Sequence, residues 1–458
     1  MCQRVIATLC FVASLTGWAT AEELKPFVIH EWGTFTVLQD EQGTVFRGVN
    51  INEEPLPAFA HRLYPDLVRI GGSHAPLQRQ RSKGLPSSFS GATMRMETPI
   101  IYIYPPNNEP ADIDVQARFQ GGWISEWFPS ADVVAPGFNS RRNDLGKLTR
   151  ESQGSISWNN VTVNSEKAIP ETNQHVWLAP RNVHAPTLHT SNGEAEKYLF
   201  YRGVANIEAP LRIKQNAETQ HYDIVRNSSV GSWESSLRFM TMWLVDIPKP
   251  GVVAYRKVET SSQQSADGIV ATVPSKFSEE QYGEGNLTRL KAEMKSSLIS
   301  DGLYEDEAEA MLQTWELSYF KSSGTRLFFT MPREWTDHIL PMEVSREAKI
   351  ERVMIGRIEL VTGRQRELLK LISGTTISNP GWFWNQLSSF DTATQASMWT
   401  ALADGSKEIT DFNFSIPRDY QAYLQLGRFR ESIIANAGAN EDAMRIRDFA
   451  RNYRIAIR

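Results

Sequence analysis

Residues 30–36 read His-Glu-Trp-Gly-Thr-Phe-Thr and are flanked by apolar β-forming residues, Phe27–Ile29 and Val37–Leu38. β-Branched and aromatic residues favour an extended chain, so the stretch predicts a β-strand. It gathers an imidazole, a carboxylate, an indole and two hydroxyls around one glycine. An isolated glycine in a strand is typical of a bulge or of a close approach by another backbone, and we predict one of these at Gly33.

Successive side chains of a strand point to opposite faces of its sheet. Glu31 therefore shares one face with Phe35, whereas His30 shares the other face with Trp32 and Thr34. In this geometry His30 and Glu31 cannot jointly bind one metal ion or one substrate atom. Because buried polar groups satisfy one another, we expect His30 in a buried polar network and Glu31 paired with a buried arginine.

The run 27–36, Phe-Val-Ile-His-Glu-Trp-Gly-Thr-Phe-Thr, resembles the opening of a family of exported bacterial proteins of uncharacterised activity. Further stretches carry the resemblance, which extends to about Leu360: Met96–Tyr102, Gly122–Ile124 with Trp127–Pro129, and Lys197–Val204. The resemblance implies export and implies no activity.

Residues 1–21 predict a secretory signal peptide. Arg4 supplies positive charge, residues 5–18 form an apolar run, and Ala19-Thr20-Ala21 is a small-x-small cleavage site before Glu22. The apolar run is shorter than the ~20 residues that span a bilayer, and no later run is long enough. We therefore expect an exported protein, periplasmic or extracellular, with no membrane span after cleavage.

Both cysteines, Cys2 and Cys10, lie inside the predicted signal. The mature chain is therefore predicted to lack disulfides, thiolate nucleophiles and cysteine metal ligands, so its stability must come from a large core. The chain has 458 residues, which is ample for such a core. Its formal net charge is only −5 and its charges are interspersed, which argues against nucleic acid as a partner.

Residues 22–363 are rich in short strand patterns and predict a β-rich domain with an antiparallel, sandwich-like core. Asp112–Phe119 alternates cleanly and is predicted to pair with Ile100–Tyr104 across a Pro-Pro-Asn-Asn turn. A further strand is predicted at Thr44–Ile51. Two long polar segments, 71–93 and 132–154, are predicted loops.

Helical periodicity begins near residue 278. It predicts a helical hairpin over about 278–320, inserted in or capping the sheet, with Gly302 ending its first helix. Four or five further helices are predicted in a helical C-terminal region, 364–458. The predicted fold class is therefore α+β.

The chain contains no standard catalytic signature: no nucleophile elbow, phosphate loop or zinc-protease motif. The candidate catalytic residues are polar side chains on predicted strands, His30, Glu31 and Glu97. Glycoside hydrolysis needs two carboxyl groups about 5–9.5 Å apart. Arg95 lies two residues before Glu97, so an Arg–Glu pair that holds the sheet is the structural alternative. The other carboxylates beside predicted strands are Glu53, Glu54 and Glu126.

Three residues are candidates for ligand binding. Trp123 and Trp127 are four residues apart on one predicted strand face, where aromatic rings can stack on sugar rings or fill a core. Arg202 follows Phe200 and Tyr201 in an apolar setting, and it is a candidate either for a buried ion pair or for an anionic ligand. We expect it near His30, in a network with Glu31 or Glu97.

His175, His184 and His189 fall within fifteen residues in a predicted loop. Imidazoles in a loop can bind zinc or copper, but these spacings match no closed structural zinc pattern. The alternative is three separate hydrogen-bonding histidines. No metal site and no cofactor is therefore predicted.

Two functions remain open. The first is a non-catalytic exported β-rich protein that binds a glycan or a cell-surface partner. The second is an extracytoplasmic hydrolase that uses His30 with carboxylates of the β region. They differ in one structural expectation: the hydrolase requires His30, Glu97 and Arg202 to line one open cleft.

Overall fold

A computed structural model describes residues 25–50, 56–63, 89, 91–107, 109–138, 147–227, 236–260, 268–374, 381, 385, 416–437 and 443–453. The fold is mixed α/β and contains one large sheet and several helices. The predicted signal peptide, Glu53, Glu54 and residues 71–88 lie outside the described residues.

The strands of the described residues are numbered in chain order. They are β1 Phe27–Asp40, β2 His61–Arg62, β3 Met94–Tyr104, β4 Ala111–Gln120, β5 Gly122–Phe128, β6 Asp132–Val134, β7 Gln153–Val163, β8 Leu188–His189, β9 Ala195–Glu196, β10 Leu199–Ala205, β11 Leu211–Asn216, β12 His221–Arg226, β13 Met242–Lys249, β14 Val252–Val258, β15 Ile269–Pro274, β16 Gly324–Thr330, β17 Met342–Val344 and β18 Ala348–Val361.

The α-helices of the same residues are numbered likewise. They are α1 His175–Arg181, α2 Asn286–Ser300, α3 Glu305–Thr314, α4 Arg333–Ile339, α5 Gly363–Gly374, α6 Arg418–Gln425, α7 Arg430–Ala437 and α8 Ala443–Asn452. A 3₁₀-helix spans Glu279–Gln281, and a π-helix at Glu316–Lys321 follows α3.

The strand that contains the opening stretch lies in the middle of the large sheet. Fifteen strands form this sheet, with the main order β14-β13-β16-β18-β1-β3-β10-β5-β7-β4-β17, and β11-β12-β15 form a second, small sheet. β1 pairs parallel with β18 and antiparallel with β3 over most of its fourteen residues. The predicted strand at 27–38 is therefore confirmed.

The two faces of β1 pack against different layers, as the predicted alternation requires. Phe35 and Val37 share a hydrophobic core with residues of the small sheet, and we call this side the sheet-covered face. Trp32 shares a second core with α2 and α3, and Leu38 shares a third core with α6 to α8. We call this other side the helix-covered face.

Gly33 meets a backbone at close range, and a bulge lies beside it. The register of β1 and β3 shifts between Trp32 and Thr34, and the extra residue belongs to β3 at Thr98 and Pro99. A β-carbon at Gly33 would lie 3.0 Å from the Pro99 Cα. The expectation for Gly33 is confirmed, with the bulge on the partner strand.

One predicted strand pairing, one predicted strand and one predicted loop are wrong. β3 pairs with β1 and β10, and β4 pairs with β7 and β17, so the predicted hairpin of β3 with β4 does not form. Residues 44–50 contain only an isolated bridge at Val45. The polar segment 132–154 contains β6 and the start of β7. Local turn signals could not reveal these long-range partners.

Several helices are present among the described residues. α2 and α3 lie within the predicted 278–320 region, and Gly302 between them has a φ of +118°. α1 occupies part of the segment that was predicted to be a loop. Among the described residues, no helix combines the length and the apolar character needed to cross a membrane.

Candidate functional site

Glu31 forms a buried ion pair on the sheet-covered face. The Arg352 Nε donates to Glu31 Oε2 at 2.6 Å, and the Tyr201 hydroxyl donates to the other carboxylate oxygen. Glu31 has no exposed surface, and Arg352 also reaches Asp337 at 2.9 Å. Burial alone would lower the pKa of Arg352, but Glu31 outweighs it and raises the pKa. The expected buried arginine partner is thus Arg352.

His30 pairs with a helix residue on the opposite face. Its Nδ1 lies 2.7 Å from Glu307 Oε2 in the first turn of α3. The other oxygen of Glu307 accepts a 2.7 Å hydrogen bond from the Tyr104 hydroxyl. Burial, and then the charge of Glu307, raises the pKa of Tyr104, which therefore stays a neutral donor. His30 and Glu307 are both buried, so the pair fixes α3 on the sheet.

His30→Ala should lower the free energy of unfolding by about 2 kcal/mol, because it removes a hydrogen-bond partner from a buried carboxylate. Urea unfolding measures the loss. His184→Ala is the matched control: His184 also pairs with a carboxylate of α3, Asp306 at 2.9 Å, but its side chain is 93% exposed. The control should change stability by less than about 0.5 kcal/mol. Equal stability of both variants would contradict the structural role of His30.

Glu97 belongs to a row of buried charges that crosses the helix-covered face. Arg95 Nε donates to Glu97 Oε1 at 2.5 Å, and the Tyr319 hydroxyl donates to Glu97 Oε2 at 2.9 Å. The Arg357 guanidinium lies 4.1 Å from the centre of the Tyr319 ring and donates from Nε to Glu359 at 2.7 Å. We call this row the arginine belt. Its members are Arg95, Glu97, Glu126, Arg202, Arg326, Arg357 and Glu359.

Arg202 lies at the β5 side of the same belt. Its Nε donates to Glu126, whose other oxygen is 3.2 Å from Arg62 Nε. Arg202 and Glu126 are paired in register on β10 and β5, and both are buried. Arg202 therefore forms a buried ion pair, which was the first of the two roles predicted for it.

In the described part of the chain, no ion pair joins His30 to Arg202 in the predicted network. His30 pairs with Glu307, Glu31 with Arg352, Glu97 with Arg95 and Arg202 with Glu126. Glu31 also lies on the face opposite to the others. Each of these four residues is buried in an ion pair with a different partner, and within the described residues they line no common open cleft.

Trp123 and Trp127 do not share a face. The register of β5 against β10 shifts at Ser125, and this one-residue bulge reverses the alternation. Trp123 is fully buried in the core beneath the C-terminal helices, whereas the half-buried Trp127 packs against the core of the sheet-covered face. The predicted aromatic row is therefore wrong.

The three clustered histidines contact different groups. His175 Nε2 lies 2.9 Å from the Gln313 carbonyl oxygen, His184 pairs with Asp306, and His189 lies on β8. Within the described residues, no group of three or more histidine, cysteine, aspartate or glutamate side chains could hold a metal ion.

An open cleft lies where β1 ends, between the small sheet, the large sheet and α5. Its volume is about 490 Å³. We call it the tyrosine cleft, because Tyr222 of β12 and Tyr282 lie in its lining. The lining residues are Glu41, Gln215, Tyr222, Asp246, Pro248, Ser275, Lys276, Phe277, Tyr282, Thr325, Thr362, Gly363, Arg364 and Arg366.

Each tyrosine of the cleft is held by a carboxylate. Tyr222 donates to Glu41 at 2.9 Å, and Tyr282 donates to Asp246 at 2.7 Å. The remaining oxygens accept from Arg366 at 2.5 Å and from Thr325 at 2.5 Å. Burial, followed by the partner carboxylate, raises the pKa of both phenols. The phenols therefore stay neutral, and both carboxylates are occupied by protein donors.

Sequence reasoning missed this cleft. Its residues range from Glu41 to Arg366 and come from both sheets and α5, so no local motif joins them. The one local signal is Tyr222 of β12, because a buried phenol usually finds a hydrogen-bond partner.

The comparisons with known proteins supply no assignment. No protein-family model matches the chain, and no curated protein shows significant similarity to it.

Proposed function

We propose that the protein is an exported, non-catalytic binding protein that takes a glycan into the tyrosine cleft. The supporting observation is the pair of phenols, each fixed by a carboxylate, in an open cleft of about 490 Å³. Binding sites for small molecules are concave, commonly 300–1,000 Å³, and carry a few well-placed polar groups. Export and the resemblance to a family of exported bacterial proteins are parts of the same proposal.

The chemistry of the lining suits a polyhydroxylated ligand. Phenol oxygens accept hydrogen bonds, and the exposed Lys276 and Arg364 can donate them, so hydroxyl groups of a sugar would find both kinds of partner. The ring of Phe277, 6.2 Å from that of Tyr282, offers apolar surface to the C–H face of a sugar. The proposal includes the sandwich-like packing of the small sheet on the large one and the helical hairpin of α2 and α3.

The hydrolase alternative has less support. A general acid must hold a proton within reach of the substrate. In the cleft, both oxygens of Glu41 and both of Asp246 already accept hydrogen bonds from protein groups. His30 is buried against Glu307, away from the residues that line the cleft.

Binding of neutral and acidic oligosaccharides on a glycan array, followed by calorimetry of the best ligand, tests the proposal. Tyr282→Phe removes only the hydroxyl and should weaken binding about tenfold, the equivalent of one lost hydrogen bond. Tyr255→Phe is the matched control, because Tyr255 also donates to a carboxylate, Glu293 at 2.7 Å, but does not line the cleft.

Two results would overturn the proposal. Affinity that is equal in the Tyr282 variant and the parent would place the ligand elsewhere. Release of new reducing ends from the bound glycan by the parent protein would make it a hydrolase.

A further inference from the structure

A second polar pocket lies on the other side of the turn that ends β1. Gly43 in this turn has a φ of +79°. A β-carbon placed on Gly43 would lie 3.4 Å from the Arg212 side chain, so the turn passes close to Arg212. The pocket has a volume of about 410 Å³. Its lining residues are Gln42, Gly43, Thr44, Val45, Arg47, Thr93, Arg150, Asn206, Glu208 and Arg212, and we call it the arginine pocket.

The charged lining of the arginine pocket is mainly cationic. Three guanidinium groups, of Arg47, Arg150 and Arg212, face one carboxylate, Glu208. A concave surface lined by charges of one sign concentrates counter-ions. This excess of positive charge favours an anion.

Glu208 holds two of these arginines in place. It accepts from Arg150 Nη2 at 2.8 Å and from Arg212 Nη2, and Asn227 donates to it at 2.8 Å. Burial opposes ionisation of Glu208, but the hydrogen bonds from Arg212 and Asn227 outweigh it and lower its pKa. An ionised Glu208 thus fixes both guanidinium groups before any ligand arrives, which reduces the ordering cost of binding.

Arg47 supplies the third donor group. Asn436 of α7 bonds to its backbone from both sides, accepting from the Arg47 amide at 3.2 Å and donating to the carbonyl oxygen at 2.9 Å. In the described part of the chain, the guanidinium of Arg47 makes no hydrogen bond or ion pair, and the residue is exposed. Its five N–H groups are therefore available to a ligand.

We propose that the arginine pocket binds an oxyanion group: sulfate, phosphate or carboxylate. A guanidinium matches the two oxygens of such a group with two parallel hydrogen bonds. Thr44 and Asn206 add neutral polar groups in the same lining. This inference does not require a glycan in the tyrosine cleft.

Calorimetric titration of the full chain with sodium sulfate, sodium phosphate and sodium glucuronate, at constant ionic strength, tests the proposal. Arg47→Gln and Arg212→Gln should each weaken binding about tenfold, since each removes a charge-assisted contact. Arg118→Gln is the matched control, because Arg118 is 43% exposed, pairs with Glu343 at 2.8 Å and lies outside the pocket. It should bind like the parent.

The three ligands separate two sources of the anion. Tighter binding of glucuronate indicates the acidic group of a glycan, and tighter binding of the inorganic ions indicates a free oxyanion. Absence of binding by all three ligands, or equal affinity in both pocket variants and the parent, overturns the proposal. Tyr282→Phe should leave oxyanion binding unchanged, so this test and the glycan test can fail independently.

Discussion

Arg352→Ala should lower the free energy of unfolding by about 3–5 kcal/mol, because it leaves the carboxylate of Glu31 buried without its cation. Glu31 is fully buried, and of its donors in the described residues only the Tyr201 hydroxyl would remain. Since domains are stable by only about 5–15 kcal/mol, a loss of this size should also reduce the yield of folded protein. Urea unfolding monitored by tryptophan fluorescence measures it.

The control for this prediction lies on the same strand. Lys349 pairs with Glu351 at 3.1 Å, but its side chain is 70% exposed, so Lys349→Ala should cost less than about 1 kcal/mol. The double variant Glu31→Leu with Arg352→Met should recover much of the lost stability, because an apolar pair of similar volume replaces the charges. An Arg352→Ala variant as stable as the parent would contradict the buried pair.

Gly33→Val should destabilise the protein by about 3 kcal/mol, because the added carbons would overpack the space between β1 and the bulge of β3. The first added carbon would already lie 3.0 Å from the Pro99 Cα and 3.1 Å from the Met354 sulfur. The Pro99 Cα is a backbone atom of a central strand, so it cannot move away from the added carbon as the end of a flexible side chain could.

Gly374→Val is the matched control for Gly33. A β-carbon at Gly374, the last residue of α5, would meet no atom of the described residues within 4 Å, so this variant should differ from the parent by less than about 0.5 kcal/mol. Thermal and urea unfolding of both variants decide the question. A Gly33→Val protein with parental stability would mean that the two strands separate there at little cost.

The sequence predicted those parts of the fold in which apolar and polar residues alternate as in a strand or recur at helical spacing. The alternation along β1 correctly assigned His30 and Glu31 to opposite faces, and the helical periodicity that begins near residue 278 indicated the region of α2 and α3. Strand alternation assigned side chains to the wrong face where a bulge interrupts the strand. Because Ser125 is an extra residue in β5, Trp123 and Trp127 pack in different cores. Serine is not a residue type that indicates a bulge, so the sequence did not predict this one.

The partners of the charged residues were beyond local reasoning. Glu31 was expected to find a buried arginine and does, but that arginine lies 321 residues later in the chain. Glu97 found Arg95, the one candidate within its own strand. The tyrosine cleft was missed because its carboxylates, Glu41 and Asp246, become neighbours only after both sheets have formed.

The parallel pairing of β1 with β18 constrains when the protein can fold. Phe27 is in register with Ala348, so the central strand of the large sheet lacks one of its two neighbours until nearly the whole β region has been synthesised. At about 5–20 residues per second, the nascent chain waits roughly 15–65 s for that neighbour. So high a contact order predicts slow folding and a long-lived unfolded chain whose first apolar strand needs protection from aggregation.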